Sequence, residues 1–408
     1  MTLFSVEYYQ INEAMIMRWF RRTPYRTRGI LLWGFLIVFT GGGIFFFMSD
    51  REDTFIYPVQ IAAGAYHTCS RFSDNSLKCW GRNGNGQLGN GSFKRALLPQ
   101  SVSKITSASV VSTGGFHTCV LLVNRKVSCW GTNDSGQIGD GLFSGRPHPK
   151  EISQIDDAID LSAGSRHTCA VFFGGTVRCW GENRNGQLGI GTVPDTSSVP
   201  ISVPEITKAR AVSSGGSHTC VLLQVGLVAC WGGNDKGQLG RGNFSKTGGP
   251  WVVSELKNVR AIAAGGEHTC ALLIDGSVWC WGENNNGQLG TEEVGNAHGP
   301  VRIPGIIDAV AVTSGAFHSC ALLKEGRLRC WGRRDNGQLG VIDLSGGGVV
   351  MVPGVTSAVA ITTGAFHTCI LDSVGGIECW GANDSGQLGT GGPKGHDPAR
   401  GFVALPES

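Results

Sequence analysis

The chain has 408 residues, of which 63 are glycine and 14 cysteine, with 16% charged residues and a formal net charge of +3. That much glycine, with few long apolar stretches at helical period, excludes a helical solenoid and favours many short strands joined by tight turns. The charge is confined to residues 1–28, where five arginines outweigh Glu7 and Glu13. The neutral remainder has no general electrostatic pull on nucleic acid, which is not expected as a partner.

Residues 1–28 read as a cytoplasmic basic tail and residues 29–48 as a transmembrane signal anchor. The second segment holds twenty uncharged, mostly apolar residues, enough for a helix to cross ~30 Å of hydrocarbon. Arg18, Arg21, Arg22, Arg26 and Arg28 precede it, and Ser49, Asp50, Arg51, Glu52 and Asp53 follow. The positive-inside rule then keeps the N-terminus in the cytoplasm and sends the rest to the exported side, periplasmic or extracellular. The segment ends in Phe45-Phe46-Phe47-Met48 without a small-x-small cleavage signal, which favours an uncleaved anchor over a cleaved signal peptide. The Arg21-Arg22 pair also admits twin-arginine export. Residues 49–54 are a short linker.

From residue 55 to 408 one sentence is repeated seven times. His-x-Cys recurs at His67, His117, His167, His218, His268, His318 and His367, in steps of 50, 50, 51, 50, 50 and 49 residues. Ten positions after each first cysteine comes Cys-Trp-Gly, and then Gly-Gln-Leu-Gly or, once, Gly-Gln-Ile-Gly. A fixed period with short apolar runs broken by Gly and Asn predicts one small sheet per repeat. Seven sheets of about four strands close into a ring that leaves only short outer edges, so the expectation is a single all-β, seven-bladed β-propeller over 55–408, preceded by the one N-terminal membrane helix.

Between the cysteines of each repeat lie two strand-like runs around a short loop. Gly175, Gly226, Gly276, Gly326 and Gly375 hold the third loop position, with Asn75 and the misfit Arg125 in the first two repeats. A three-residue loop ending in a left-handed residue wants Gly or Asn there, and it sets cysteine directly opposite cysteine in a non-hydrogen-bonded pair, with Cα atoms ~4.5 Å apart. Disulfides are therefore expected for Cys69–Cys79, Cys119–Cys129, Cys169–Cys179, Cys220–Cys230, Cys270–Cys280, Cys320–Cys330 and Cys369–Cys379. A two-residue turn would put the sulfurs on opposite faces, and seven pairs of buried free thiols are the other reading. Around the hairpin, Cys270, Leu272 and Val278 should share one apolar face and Ala271, Leu273 and Trp281 the other, as in a blade sandwiched between neighbours. Fourteen regularly spaced cysteines point to an oxidising compartment, in agreement with export.

The repeat, Gly-x-x-His-Thr-Cys-Ala-Leu-Leu-x-x-Gly-x-Val-x-Cys-Trp-Gly-x-Asn-x-x-Gly-Gln-Leu-Gly-x-Gly, resembles that of the regulator of chromosome condensation family over about seven-eighths of the chain. The resemblance implies a seven-bladed propeller and, as one function, guanine-nucleotide exchange on a small GTPase. The nuclear family members lack the paired cysteines. Exchange is associated there with a wedge-like insertion in one blade, for which steps of 49–51 residues leave no room.

Chemistry is sparse in the sequence. One histidine per blade is spaced too widely for a metal sphere unless the ring lines the axis, so each is expected to be structural, donating to a neighbouring backbone carbonyl. Asn183-Arg184-Asn185-Gly186-Gln187-Leu188-Gly189 lacks the lysine of a phosphate loop and the carboxylates of a calcium loop, and reads as a turn. No catalytic set, metal or cofactor is predicted, and the chain is not read as an enzyme. Symmetry breaks mainly in the connectors after Gly-x-Gly. Phe93, Lys94, Arg95, Phe143, Arg146 and Trp251 are the predicted contact residues for an unknown protein or surface ligand, because aromatic and cationic side chains dominate interfaces. Packing between blades is the competing role for each. Sequons stand at Asn90, Asn133, Asn243 and Asn383. Finally, Pro398 to Pro406 reads as the outer strand missing before the first hairpin, which would place it in the blade of residues 57–80.

Overall fold

In the computed structural model, the described residues are 55–245, 247–291, 295–341, 348–392 and 397–405, with the backbone of two short antiparallel strands, Phe39–Thr40 and Gly43–Ile44. Those four residues are the only described part of the predicted span 29–48. The rest of that span, the basic tail and the linker lie outside the described residues. Among the described residues no helix is long and apolar enough to cross a membrane.

Seven four-stranded antiparallel sheets follow, each made of consecutive strands, so the expected seven-bladed all-β propeller is what the chain forms. The blades, numbered in chain order, begin at Pro58, Ala108, Ala158, Ala209, Val259, Ala309 and Ala358. Blade 5 is representative, with strands Val259–Ala264, His268–Leu273, Val278–Gly282 and Ala297–Arg302 paired in that order. First strands surround the axis and bond to one another: Ala63 N–H donates to Thr362 Oγ1 at 3.0 Å and Ala163 N–H to Ser112 Oγ at 2.9 Å. Fourth strands form the rim and carry Pro99, Pro147, Pro149, Pro250 and Pro300. Proline lacks the N–H that an edge would otherwise offer to another chain, so these rims resist pairing.

The hairpin between second and third strands has the predicted geometry. Leu273 N–H donates to Ser277 O and Gly276 N–H to Leu273 O, which closes a three-residue loop. Asn75, Arg125 and Gly276 are all left-handed there, with φ of 63°, 65° and 81°. Arg125 thus accepts the strain of its position rather than changing the loop. Cys270 faces Cys280, and all seven predicted disulfides are present, with Cα atoms 4.1 Å apart in each pair. All fourteen half-cystines are fully buried.

The two apolar faces also fall as read. Cys270, Leu272, Val278 and Cys280 pack against Ala321, Leu323 and Trp331 of blade 6, while Ala271, Leu273 and Trp281 pack against Cys220, Leu222 and Cys230 of blade 4. The Trp of each Cys-Trp-Gly is buried, and its indole N–H donates to the Gln carbonyl of the preceding blade, as Trp130 does to Gln87 at 2.9 Å. Gly89 leaves room for that indole: a Cβ there would lie 2.6 Å from Trp130 Nε1, on a backbone with φ +66°.

Two expectations are corrected. The histidines do not bond to carbonyls through the expected ring N–H. Instead Nε2 of His67 meets Thr118 Oγ1 of the next blade at 2.8 Å, and the pattern runs around the ring to His367 and Thr68 at 2.9 Å, with Ser319 replacing Thr once. The hydroxyl wins because Thr118 donates its single proton to Gln87 O and has lone pairs left for an imidazole N–H. Nor does the C-terminal strand join blade 1. Asp397–Phe402 pairs with Ile377–Gly381 of its own blade, and blade 1 takes its fourth strand from Ala96–Ser101. The reason is that each connector strand pairs backward onto the hairpin before it, as Ala297–Arg302 does on Val278–Gly282. Ring closure is therefore by packing: Thr68 and Trp80 of blade 1 both donate to Gln387 O of blade 7, at 2.8 and 3.0 Å, while Val403 and Leu388 pack with Ile61 and Trp80.

Candidate protein-binding face

The propeller has two unlike faces. On one stand the hairpin tips and the short connections into the next blade. On the other stand the turns from first to second strand and the variable connectors after the third. In six of the seven blades an Asn clamps the connector, and Arg334 stands at that position in blade 6. Asn83 Nδ2 donates to Ser92 O and Lys94 O at 2.9 Å each, and Asn83 Oδ1 accepts from Leu88 N–H. This ties both ends of the loop to the blade and lets the residues between vary in content.

Phe93 and Phe143, from neighbouring blades, are the predicted residues that the fold brings together. Both are more than half exposed, and they line one open depression of about 310 Å³ with Asn85, Thr132 and Asp134. Asn85 Nδ2 bonds to Thr132 Oγ1 at 2.5 Å across the blade boundary and braces its floor. The other predicted residues divide. Lys94 is exposed, and Arg95 is exposed with its guanidinium on Asp384 O at 3.2 Å, so both border the same face. Arg146 is held in an ion pair with the buried Asp140 and acts within its own loop. Trp251 is 42% exposed on an outer strand, with the Arg241 guanidinium 4.4 Å from its ring centre, and stands apart from the depression. Asn133 and Asn383 are buried with their amides used in clamps, which leaves Asn243 exposed and Asn90 half-buried among the sequons.

Closer to the axis is a feature that the repeat conceals. The residue before each His is Tyr66, Phe116, Arg166, Ser217, Glu267, Phe317 and Phe366 in turn. In blades 6, 7, 1 and 2 the rings touch successively: Phe317–Phe366 at 5.4 Å, Phe366–Tyr66 at 5.7 Å and Tyr66–Phe116 at 5.8 Å between centres. Arg82 lies over Tyr66 and Phe116, and Arg333 over Phe317 and Phe366, at 5.2–5.6 Å. Blades 3 to 5 supply polar groups instead. Arg166 pairs with Asp134 at 2.8 Å, and Glu267 accepts from Ser217 and Gln238. Burial, aided by Glu283 and Asp235, raises the Glu267 pKa against the pull of Ser217. The mouth of the axis is thus aromatic and cationic on one side and polar, with charges of both signs, on the other. Sequence reading passed over it because this position looks merely variable; the signal was four aromatics in seven copies of one site.

The histidine ring carries no comparable chemistry. Burial, with smaller repulsion between neighbouring imidazoles, pushes His67 and His318 down to about 3. All seven are neutral wall supports.

A model of the RCC1-like domain matches residues 108–400, and models of the regulator of chromosome condensation (RCC1) repeat match 59–87 and 74–121. No curated protein sequence matches the chain. Among solved structures, yeast RCC1 (Prp20) bound to Kap60 is similar at 25% identity and a TM-score of 0.72, over 81% of this chain and 84% of that one. Prp20p from Saccharomyces cerevisiae, described with its binding to Gsp1p and histones, gives 24% identity and 0.72 over 86% and 88%. Human WBSCR16 shares the fold at 22% identity and 0.74 over 81% and 94%. With repeats, blade count and the family model in agreement over more than half its length, the chain belongs to the RCC1-like propeller family, as a variety with one disulfide in every blade.

Proposed function

We propose that this is a non-enzymatic binding propeller, tethered to a membrane through residues 29–48 and displayed on the exported side, that holds a protein partner on its connector face. The observation that carries the reading is the contrast between a uniform disulfide-locked frame and one face with an exposed Phe93–Phe143 depression. Binding surfaces put a few exposed aromatics on a rigid scaffold in this way. Export is supported by the arginine asymmetry and the paired cysteines. The similarity to yeast RCC1, described with Kap60, Gsp1p and histones, supports protein as the class of ligand.

The test is a pull-down with residues 54–408 made under oxidising conditions, followed by affinity measurement with the captured partner. Combined Phe93→Ser and Phe143→Ser substitutions should weaken binding on the order of thirtyfold, as for a central hot spot of about 2 kcal/mol. Undiminished binding would move the site off this depression.

A further inference from the structure

The hairpin-tip face is more apolar than a free surface needs to be. Five of the seven tips carry a large apolar residue, Val123, Phe173, Val225, Ile274 and Val374, each 62–70% exposed. Ile307, 67% exposed, comes from a connection on the same face, where its carbonyl lies against the blade 5 tip at Gly276. Scattered single apolar residues are ordinary, but a ring of them at one height is not. Polar groups stand just behind: the Arg125 guanidinium lies 5.6 Å from the Phe173 ring centre and bonds to Asp157 at 3.0 Å. An apolar crest over charged flanks is the profile of a surface that dips into the boundary between headgroups and acyl chains.

The chain joins the ring on this same face. Ser73 N–H, in the blade 1 tip, donates to Tyr57 O at 2.8 Å, and Phe55 just before it is 70% exposed. Only residues 49–56 separate Tyr57 from the predicted span, and eight residues reach about 28 Å when fully extended. So short a tether keeps the face from which it leaves close to the bilayer.

We infer that the hairpin-tip face rests on the lipid surface, with Val123, Phe173, Val225, Ile274 and Val374 entering the interface, so that the connector face points away from the membrane. This rests on the anchored reading proposed above. The occupant is the bilayer; a second copy of the chain is the competing occupant.

The experiment is hydroxyl-radical footprinting of the full chain in phosphatidylethanolamine–phosphatidylglycerol vesicles, compared with soluble residues 54–408. Side-chain oxidation at Phe173 and Ile274 should fall roughly fivefold or more in the vesicles, as their exposure drops to that of buried chains, while Phe93 and Phe143 stay unchanged. Combined Val123→Ser, Phe173→Ser and Ile274→Ser should restore oxidation at Val225 and Val374. Equal oxidation at the tips in both samples overturns the inference, as does protection of the connector face instead. Sedimentation of residues 54–408 as a dimer that the triple variant abolishes assigns the face to a second copy and overturns it too. Alkaline extraction separates the two readings: a chain that resists extraction but has freely oxidised tips is anchored without docking, and a chain that washes off the vesicles loses both.

Discussion

Lowering the pH should unfold this propeller through its seven buried histidines. In six of the seven contacts the hydroxyl proton of a Thr goes to a Gln carbonyl, as Thr118 donates to Gln87 O, so the imidazole must give its own Nε2 proton to that hydroxyl. Nδ1 of every one of these histidines is buried with no hydrogen-bond partner, so a second proton would have no acceptor. The folded values accordingly fall from 6.5 to about 3 for His67, His117, His218 and His318 and to about 4 for His167, His268 and His367, with burial as the main cause. A depressed histidine value means that the unfolded chain binds the extra proton first. Stability is then full above pH 6.5 and declines as pH falls from 6.5 towards the folded values. At pH 5 each histidine costs about 2 kcal/mol and the seven together about 14 kcal/mol as an upper figure, comparable to the whole stability of a typical domain. Asp160 acts in the opposite sense, since burial raises it from 3.8 to about 6, but it is one carboxyl against seven imidazoles. The assay is urea unfolding of the oxidised protein from pH 7.5 to 5, whose slope should report uptake of about six protons near pH 5.5. His318→Gln, which keeps an N–H donor, should take up about one fewer. A midpoint that does not move between pH 7.5 and 5 would show that the buried imidazoles are not what the acid attacks.

Further outcomes can be checked separately. Thiol alkylation of the denatured, unreduced chain should label almost none of the fourteen cysteines; labelling of most would remove the bridges and with them the argument for export. Replacing Cys270 and Cys280 together by Ala should lower the melting temperature yet leave a folded ring, because one short bridge contributes at most roughly 3 kcal/mol. Deleting 397–408 should lower the melting temperature and promote aggregation, since it strips the strand paired with Ile377–Gly381 and the Val403 contact with blade 1. A reporter active only outside the cytoplasm should give signal after Ser408 and none before Gly29, and changing Arg18, Arg21, Arg22, Arg26 and Arg28 to Glu should weaken that bias.

The blade was legible because its constraints are local. Gly276 sets the loop, the loop sets the register, and the register sets Cys270 opposite Cys280, all within a dozen residues. What crosses between blades was not. Thr118 stands next to its own Cys119 in sequence and gives no sign that it serves His67 of another blade. The rim strand Ala297–Arg302 lies between two hairpins along the chain, and apolar pattern alone does not say which it joins. Phe93 and Phe143 were picked by residue type, and the fold put them together; Tyr66, Phe116, Phe317 and Phe366 were left out because only the closed ring makes neighbours of blades 7 and 1.

Every disulfide spans ten residues within one hairpin. Fourteen cysteines could in principle combine in roughly 10⁵ ways, a number that grows steeply with each added pair. Here the correct partner is always the next cysteine to emerge, and the turn between them is short enough to bring the thiols together before the following repeat has left the translocation or synthesis machinery. Oxidation can therefore proceed in step with chain delivery, blade by blade, with no long-range sorting of partners and little work for an isomerase.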